Sequence, residues 1–183
     1  MVPTVDDVGA GGLRTEAAAS KRALFARARA ALRAEDRPTA AFFVPGRIEV
    51  LGKHTDYAGG RSLLCAAEQG FCLVASPRSD RRVGVVNADT GERADLALTP
   101  DLQPRLGHWS NYPATVLRRV ARNFPDARTG ADIAFASDLP PASGMSSSSA
   151  FMVATFLAIA ALNDLEREPA YLADIGSPTD LAG

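Results

Sequence analysis

Residues 44–60 read Val-Pro-Gly-Arg-Ile-Glu-Val-Leu-Gly-Lys-His-Thr-Asp-Tyr-Ala-Gly-Gly and hold most of the chemistry-bearing side chains of this chain in one short stretch. Arg47 and Lys53 offer positive charge, Asp56 negative charge, and His54 and Tyr57 add ring-borne polar groups. Four glycines, Gly46, Gly52, Gly59 and Gly60, lie in the same stretch. Polar groups this dense, carried on a loop between apolar strands, are how a rigid scaffold presents a small-molecule site. The plainer alternative is an ordinary polar hairpin in which these side chains cap and ion-pair one another.

Another stretch, residues 139–150, reads Leu-Pro-Pro-Ala-Ser-Gly-Met-Ser-Ser-Ser-Ser-Ala and runs into an apolar helical segment. Small residues admit a ligand to the backbone, and a helix N-terminus supplies unsatisfied N–H groups and the positive dipole end. Together they suit a phosphate chain. A serine hydroxyl there can also ligate Mg²⁺ as a hard oxygen donor. No Gly-Lys-Ser/Thr follows, so this is not a Walker loop. Taken alone, a serine-rich helix start also reads as a plain cap.

These stretches need elements to hold them. Alanine, arginine and leucine over residues 14–34, with Leu24, Phe25, Ala28 and Leu32 on one face, predict an amphipathic helix that the Arg37-Pro38 break ends. Residues 40–44 predict a strand that continues over 48–51 after a break at Pro45-Gly46. Residues 62–67 and 71–75 predict two strands around a Gln69-Gly70 turn, and 83–86 pairs with 94–98 through a turn at 88–91. A helix follows over 111–124 with Pro113 in its first turn, then a strand over 131–136 and a helix over 150–163. Trp109 reads equally as core or as ligand-facing. Residues 1–13 predict a loose lead-in. The order is α+β.

Composition narrows the classes. The chain has 183 residues, 46% of them hydrophobic and 22% charged, with a net charge of −1. That excludes disorder and gives no broad basic field for nucleic acid or an anionic membrane. The apolar run 151–162 is too short to span a bilayer and predicts a buried helix. No secretory leader is evident, and a cytoplasmic location is expected. Cys65 and Cys72 predict two buried free thiols. The two histidines lie far apart in sequence, with no Cys/His cluster for a structural zinc.

The stretch 44–60 resembles the sugar-recognition signature of galactokinases, members of the GHMP small-molecule kinase family, which reads roughly Pro-Gly-Arg-x-Asn-x-x-Gly-Glu-His-Thr-Asp-Tyr-x-x-Gly. The stretch 139–150 is similar to that family's ATP-binding motif, with Gly144 the only glycine where relatives often carry two or three. Shorter similarities at 76–80 and 109–112 extend the resemblance over about residues 40–162. The resemblance implies the α+β GHMP N-terminal domain, similar to ribosomal protein S5 domain 2, over residues 14–183. It implies phosphorylation of a monosaccharide at its anomeric hydroxyl by ATP with Mg²⁺. Arg47 matches the arginine that offsets charge on the transferred phosphoryl group. Lys53, His54, Asp56, Tyr57 and Gly59 match sugar-pocket positions. Pro141, Ser143, Gly144, Met145, Ser146, Ser147, Ser148 and Ser149 match the ATP loop, with Ser147 and Ser148 as metal contacts.

Two positions depart from the family's pattern: Glu49 stands for Asn and Lys53 for Glu. Lysine only donates hydrogen bonds, so Lys53 either changes the substrate, to an anionic sugar such as a uronic acid or to a differently configured sugar, or pairs with Glu49 in a swapped charge pair. The family's catalytic aspartate and third, glycine-rich motif are not found in these 183 residues. The expectation is therefore the N-terminal portion of a sugar kinase, with the C-terminal lobe absent from this chain or supplied by a complementary one. On its own such a portion is expected to be inactive. A non-catalytic sensor of sugar and ATP is the rival reading.

Overall fold

The computed structural model describes residues 15–32, 37–52, 55, 58–140, 143–169 and 171. The predicted lead-in (1–13) and the segment after residue 171 lie outside them. Five strands form one sheet in the order β1-β2-β5-β3-β4, with β1 Ala40–Leu51, β2 Leu63–Arg78, β3 Arg82–Asn87, β4 Arg93–Ala97 and β5 Gly130–Ser137. All neighbours pair antiparallel except β3 and β5, which are parallel. Helix α1 is Thr15–Leu32, α2 Asn111–Asn123 and α3 Ser147–Leu162, with a 3₁₀ turn at Leu165–Arg167.

The alternation of strand side chains sorts the core into two layers. On one face Cys72, Val74, Ala134 and Ala136 pack under Leu24, Phe25, Ala28 and Leu32 of α1, the stripe expected from sequence. On the other, Phe71, Leu73, Ala75, Ile133 and Phe135 pack against Leu117 and Val120 of α2 and against Phe151, Ala154 and Ala158 of α3. Both faces of the central strands are therefore dry, as in a three-layer α/β/α arrangement.

Three expectations are corrected. The predicted strands 62–67 and 71–75 are one 16-residue strand, β2, and Gln69-Gly70 is not a turn. Gly70 is required by close approach instead: a Cβ there would lie 2.3 Å from the Val44 carbonyl oxygen and 2.8 Å from Pro45 Cα. Likewise Pro45-Gly46 does not break β1. It marks a slip in register, where Pro45 pairs with Gly70 but Arg47 pairs with Ala66, as at a β-bulge. Finally, Cys65 is exposed while Cys72 is buried. Burial pushes the Cys72 thiol up to about 12 from its usual 9.0.

The third helix begins at Ser147, three residues ahead of the predicted start at 150, so the serines form its first turn. Its flank at Met152, Val153, Phe156 and Leu157 is not buried, so the run 151–162 is not enclosed on all sides. Among the described residues no helix is long and apolar enough to cross a membrane.

Candidate active site

The structure brings the two motif stretches into contact. Gly46 is buried, and a Cβ on it would sit 2.5 Å from Leu139 Cδ2 and 3.0 Å from the Met145 carbonyl oxygen. One residue on, Arg47 N–H donates to that same Met145 oxygen at 2.9 Å. The bulge in β1 therefore lays the arginine-bearing strand directly on the Ser/Gly loop. The Arg47 side chain is exposed, and no described residue holds its guanidinium in an ion pair or hydrogen bond.

The Ser/Gly loop leads into α3 through two left-handed residues, Gly144 at φ +69° and Ser146 at φ +54°. The αL conformation is routine for glycine and uncommon for serine, so Ser146 marks a strained approach to the helix. Ser146 makes no side-chain capping bond, and α3 has no acidic residue in its first turn. The plain-cap reading of the serines therefore has no capping bond behind it. Among the described residues nothing accepts from the N–H groups of Ser147, Ser148 and Ser149, while Ala150 N–H bonds Ser146 O at 3.0 Å. Ser143, Gly144, Ser147 and Ser149 are exposed; Met145, Ser146 and Ser148 are half-buried. Pro141 lies outside the described residues.

Aromatic packing holds the helix start. Phe151 stacks on Phe71 with centroids 5.1 Å apart and meets Phe135 at 4.4 Å. Trp109 meets Phe135 edge-on at 5.8 Å, so its body is core, yet its Nε1–H is buried without a partner among the described residues. Next to it, His108 Nδ1 accepts from Ser110 N–H at 3.2 Å and lies 2.7 Å from Ser110 Oγ.

The sugar-signature loop is built differently. Lys53, His54, Asp56 and Tyr57 lie outside the described residues. What is described is the scaffold around them, and Thr55 organises it. Thr55 Oγ1 donates to Gly52 O at 2.8 Å and lies 3.1 Å from Arg61 O, and its carbonyl accepts from Ala58 N and Gly60 N. Ser62 Oγ closes the base onto Gly52 O at 3.0 Å. Gly60 has no Cβ because Thr55 occupies that space at 2.8 Å, whereas Gly59, at φ +73°, faces open space. Sequence reasoning missed Thr55, although a threonine three residues after a glycine turn is a known backbone-bonding pattern.

The similarity at 76–80 proves structural. Arg78 grips Asp80 through two bonds of 2.8 and 2.7 Å and reaches Asp132 at 2.9 Å, tying the end of β2 to β5. That fork holds the Asp80 carboxyl down at about 2.

Comparison with known proteins agrees with this geometry. The model of the galactokinase galactose-binding signature matches residues 31–77, and that of the GHMP kinases N terminal domain matches residues 111–180. Galactokinase of Actinobacillus pleuropneumoniae serotype 3 is 33% identical over 138 residues, 75% of this chain and 36% of the relative. Among solved structures, Lactococcus lactis galactokinase complexed with galactose superposes with a TM-score of 0.61 at 25% identity, covering 69% of this chain and 33% of that one. Methanococcus jannaschii mevalonate kinase, 15% identical with a TM-score of 0.53 over 76% of this chain and 46% of its own, shares the fold. The chain spans about a third of the length of the curated galactokinases it matches. With both signatures, the fold and the relatives in agreement, the chain belongs to the galactokinase/GHMP small-molecule kinase family and corresponds to its N-terminal portion.

Proposed function

We propose that this chain supplies the nucleotide loop and the sugar loop of a kinase that transfers the γ-phosphoryl group of ATP to the anomeric hydroxyl of a monosaccharide, with galactose as the default substrate. The observation that carries the reading is the contact between the Ser/Gly loop and the strand that leads to the sugar-signature loop, where Gly46 lies on Leu139 and Arg47 N–H bonds Met145 O. Phosphoryl transfer relies on positioning and charge stabilisation, so parts that act on the phosphate and on the acceptor must be adjacent.

The residues fit a Mg-nucleotide. Free N–H groups on the first turn of α3, small exposed residues at 143–144 and the dipole of a 16-residue helix suit phosphate oxygens. Mg²⁺ keeps most of its waters and takes few protein oxygens, which the Ser147 or Ser148 hydroxyl can provide. Bound there, the metal supplies charge neutralisation on the phosphate oxygens. Arg47, with no partner among the described residues, is available for charge that develops on the transferred group. The sugar oxygen forms the new bond to phosphorus, the bond to ADP breaks, and the hydroxyl proton passes to a general base that is none of the residues named above, or to solvent. Asp56, His54 and Tyr57 would orient the acceptor. Lys53 leaves a uronic acid as the alternative substrate, unless it pairs with Glu49. A cytoplasmic setting and a soluble sugar partner accompany this reading.

The test is calorimetric titration of galactose, galacturonic acid and Mg-ATP into the chain, with phosphoryl transfer followed alongside. Saturable binding of one of the sugars and of Mg-ATP is expected. Turnover by these 183 residues alone is not expected, because the family's base and third motif are not among them. Failure of either ligand class to bind would contradict the proposal.

A further inference from the structure

Lys21 is 1% exposed in a helix face that otherwise buries apolar side chains. A lysine is almost never that deep unless paired, and its Nζ is in direct contact with Asp138 Oδ2, whose side chain keeps 28% of its surface. The ammonium also lies 5.3 Å from the centroid of the Phe43 ring. Uncharged residues of the same size often replace a buried ion pair without loss of stability, so such a pair calls for a positional explanation.

The position is informative. Asp138 sits between β5 and Leu139, the first residue of the Ser/Gly loop. Its other oxygen, Oδ1, accepts from Gly70 N at 2.8 Å, at the point where pairing between β1 and β2 slips. Ser137 Oγ adds a bond to Gly70 O at 3.1 Å and lies 3.2 Å from Leu139 N. Leu139 in turn carries its side chain over Gly46, and Met145 O receives Arg47 N–H. Each link from Lys21 to Arg47 is thus a close contact, and only the first crosses from the α1 layer.

We propose that the Lys21–Asp138 pair is a positioning device that fixes where the Ser/Gly loop leaves the sheet and so sets the placement of Arg47 against the start of α3. Its catalytic consequence rests on the functional reading above; the placement itself does not. A helix on the opposite face of the sheet from α3 would then control how the strand of Arg47 meets the Ser/Gly loop.

The test compares the parent chain with Lys21→Met, Asp138→Asn and the double variant, by thermal melting, hydrogen exchange and Mg-ATP titration. Single Lys21→Met leaves Asp138 without its ammonium and should melt lower. The double variant keeps the acceptor for Gly70 N–H and removes both charges, so it should regain most of the parent's stability. In it, the amides of Arg47 and Ala150, which bond Met145 O and Ser146 O, should exchange about tenfold faster and Mg-ATP affinity should fall by a similar factor, with amides of β2 and β5 unchanged. A double variant that regains stability with unchanged exchange at Arg47 and Ala150 overturns the proposal. So does a double variant that cannot fold, since the pair would then hold the fold rather than the loop. Should the parent bind no Mg-ATP, the functional reading fails, and the exchange comparison still decides the role of the pair.

Discussion

The two signature stretches touch at Gly46 and Arg47, but the loops they carry are held by different means. The Ser/Gly loop grows out of the core: Asp138 is bonded to Gly70, Leu139 is packed on Gly46, and Phe151 is locked among Phe71, Phe135 and Trp109. The sugar-signature loop sits at the end of a two-stranded arm beyond both helix layers. There Ile48, Val50, Leu51, Leu63 and Leu64 are 44–66% exposed, and the loop's described bonds run mainly among Gly52, Thr55, Gly60, Arg61 and Ser62. A lone two-stranded ribbon has little stability of its own. The Ser/Gly loop is therefore preformed by the fold, while the signature loop on the arm depends on local bonds. Of the two departures from the family's signature, Glu49 falls on the arm, paired with Leu64, and Lys53 lies outside the described residues.

Gly70→Ala should break the comparison most severely, because it strikes the point both loops share. Its Cβ would meet backbone at Val44 and Pro45, and the cost should reach the upper end for overpacking, about 3 kcal/mol. Denaturant melts should show that loss, with binding of sugar and nucleotide falling together. Thr55→Val separates the loops. It removes the hydroxyl that Gly52 O and Arg61 O share, costing roughly 1–2 kcal/mol locally. Titrations should show weakened sugar binding with Mg-ATP affinity retained; equal loss of both would mean the sugar loop also supports the nucleotide.

Thiol labelling sharpens the contrast without mutation. Cys65 on the arm should react at once at neutral pH, while Cys72, buried and with its thiol held at about 12, should react only on unfolding. The smallest effect belongs to the Arg78 cluster, far from both loops. Asp80 has its carboxyl lowered from 3.8 to about 2 in the folded chain, so its contribution to stability is complete above about pH 4 and is lost as pH falls towards 2. Asp80→Asn should flatten acid unfolding in that window and leave ligand binding alone.

Much of this was legible in the residues. The stripe Leu24, Phe25, Ala28 and Leu32 gave α1, and the two motifs gave the family. The continuous β2 was not legible, since Gln69-Gly70 has turn composition and only the approach of Val44 explains its glycine. Exposure of Cys65 depends on the arm projecting past the helices, which periodicity does not encode. Nor could any local pattern pair Lys21 with Asp138, 117 residues apart.

The central claim is that the loop from Ser143 into α3 receives a nucleotide's phosphates, and Mg-ATP calorimetry on the parent and on Gly144→Val tests it most directly. Gly144 is at φ +69° with nothing within 4 Å of an added Cβ, so a side chain there has room but strains the backbone, and a β-branched one would obstruct close approach of a ligand to the loop. The account predicts saturable binding by the parent and none by a variant that melts cooperatively. Equal binding by both proteins, or none by the parent, would contradict it.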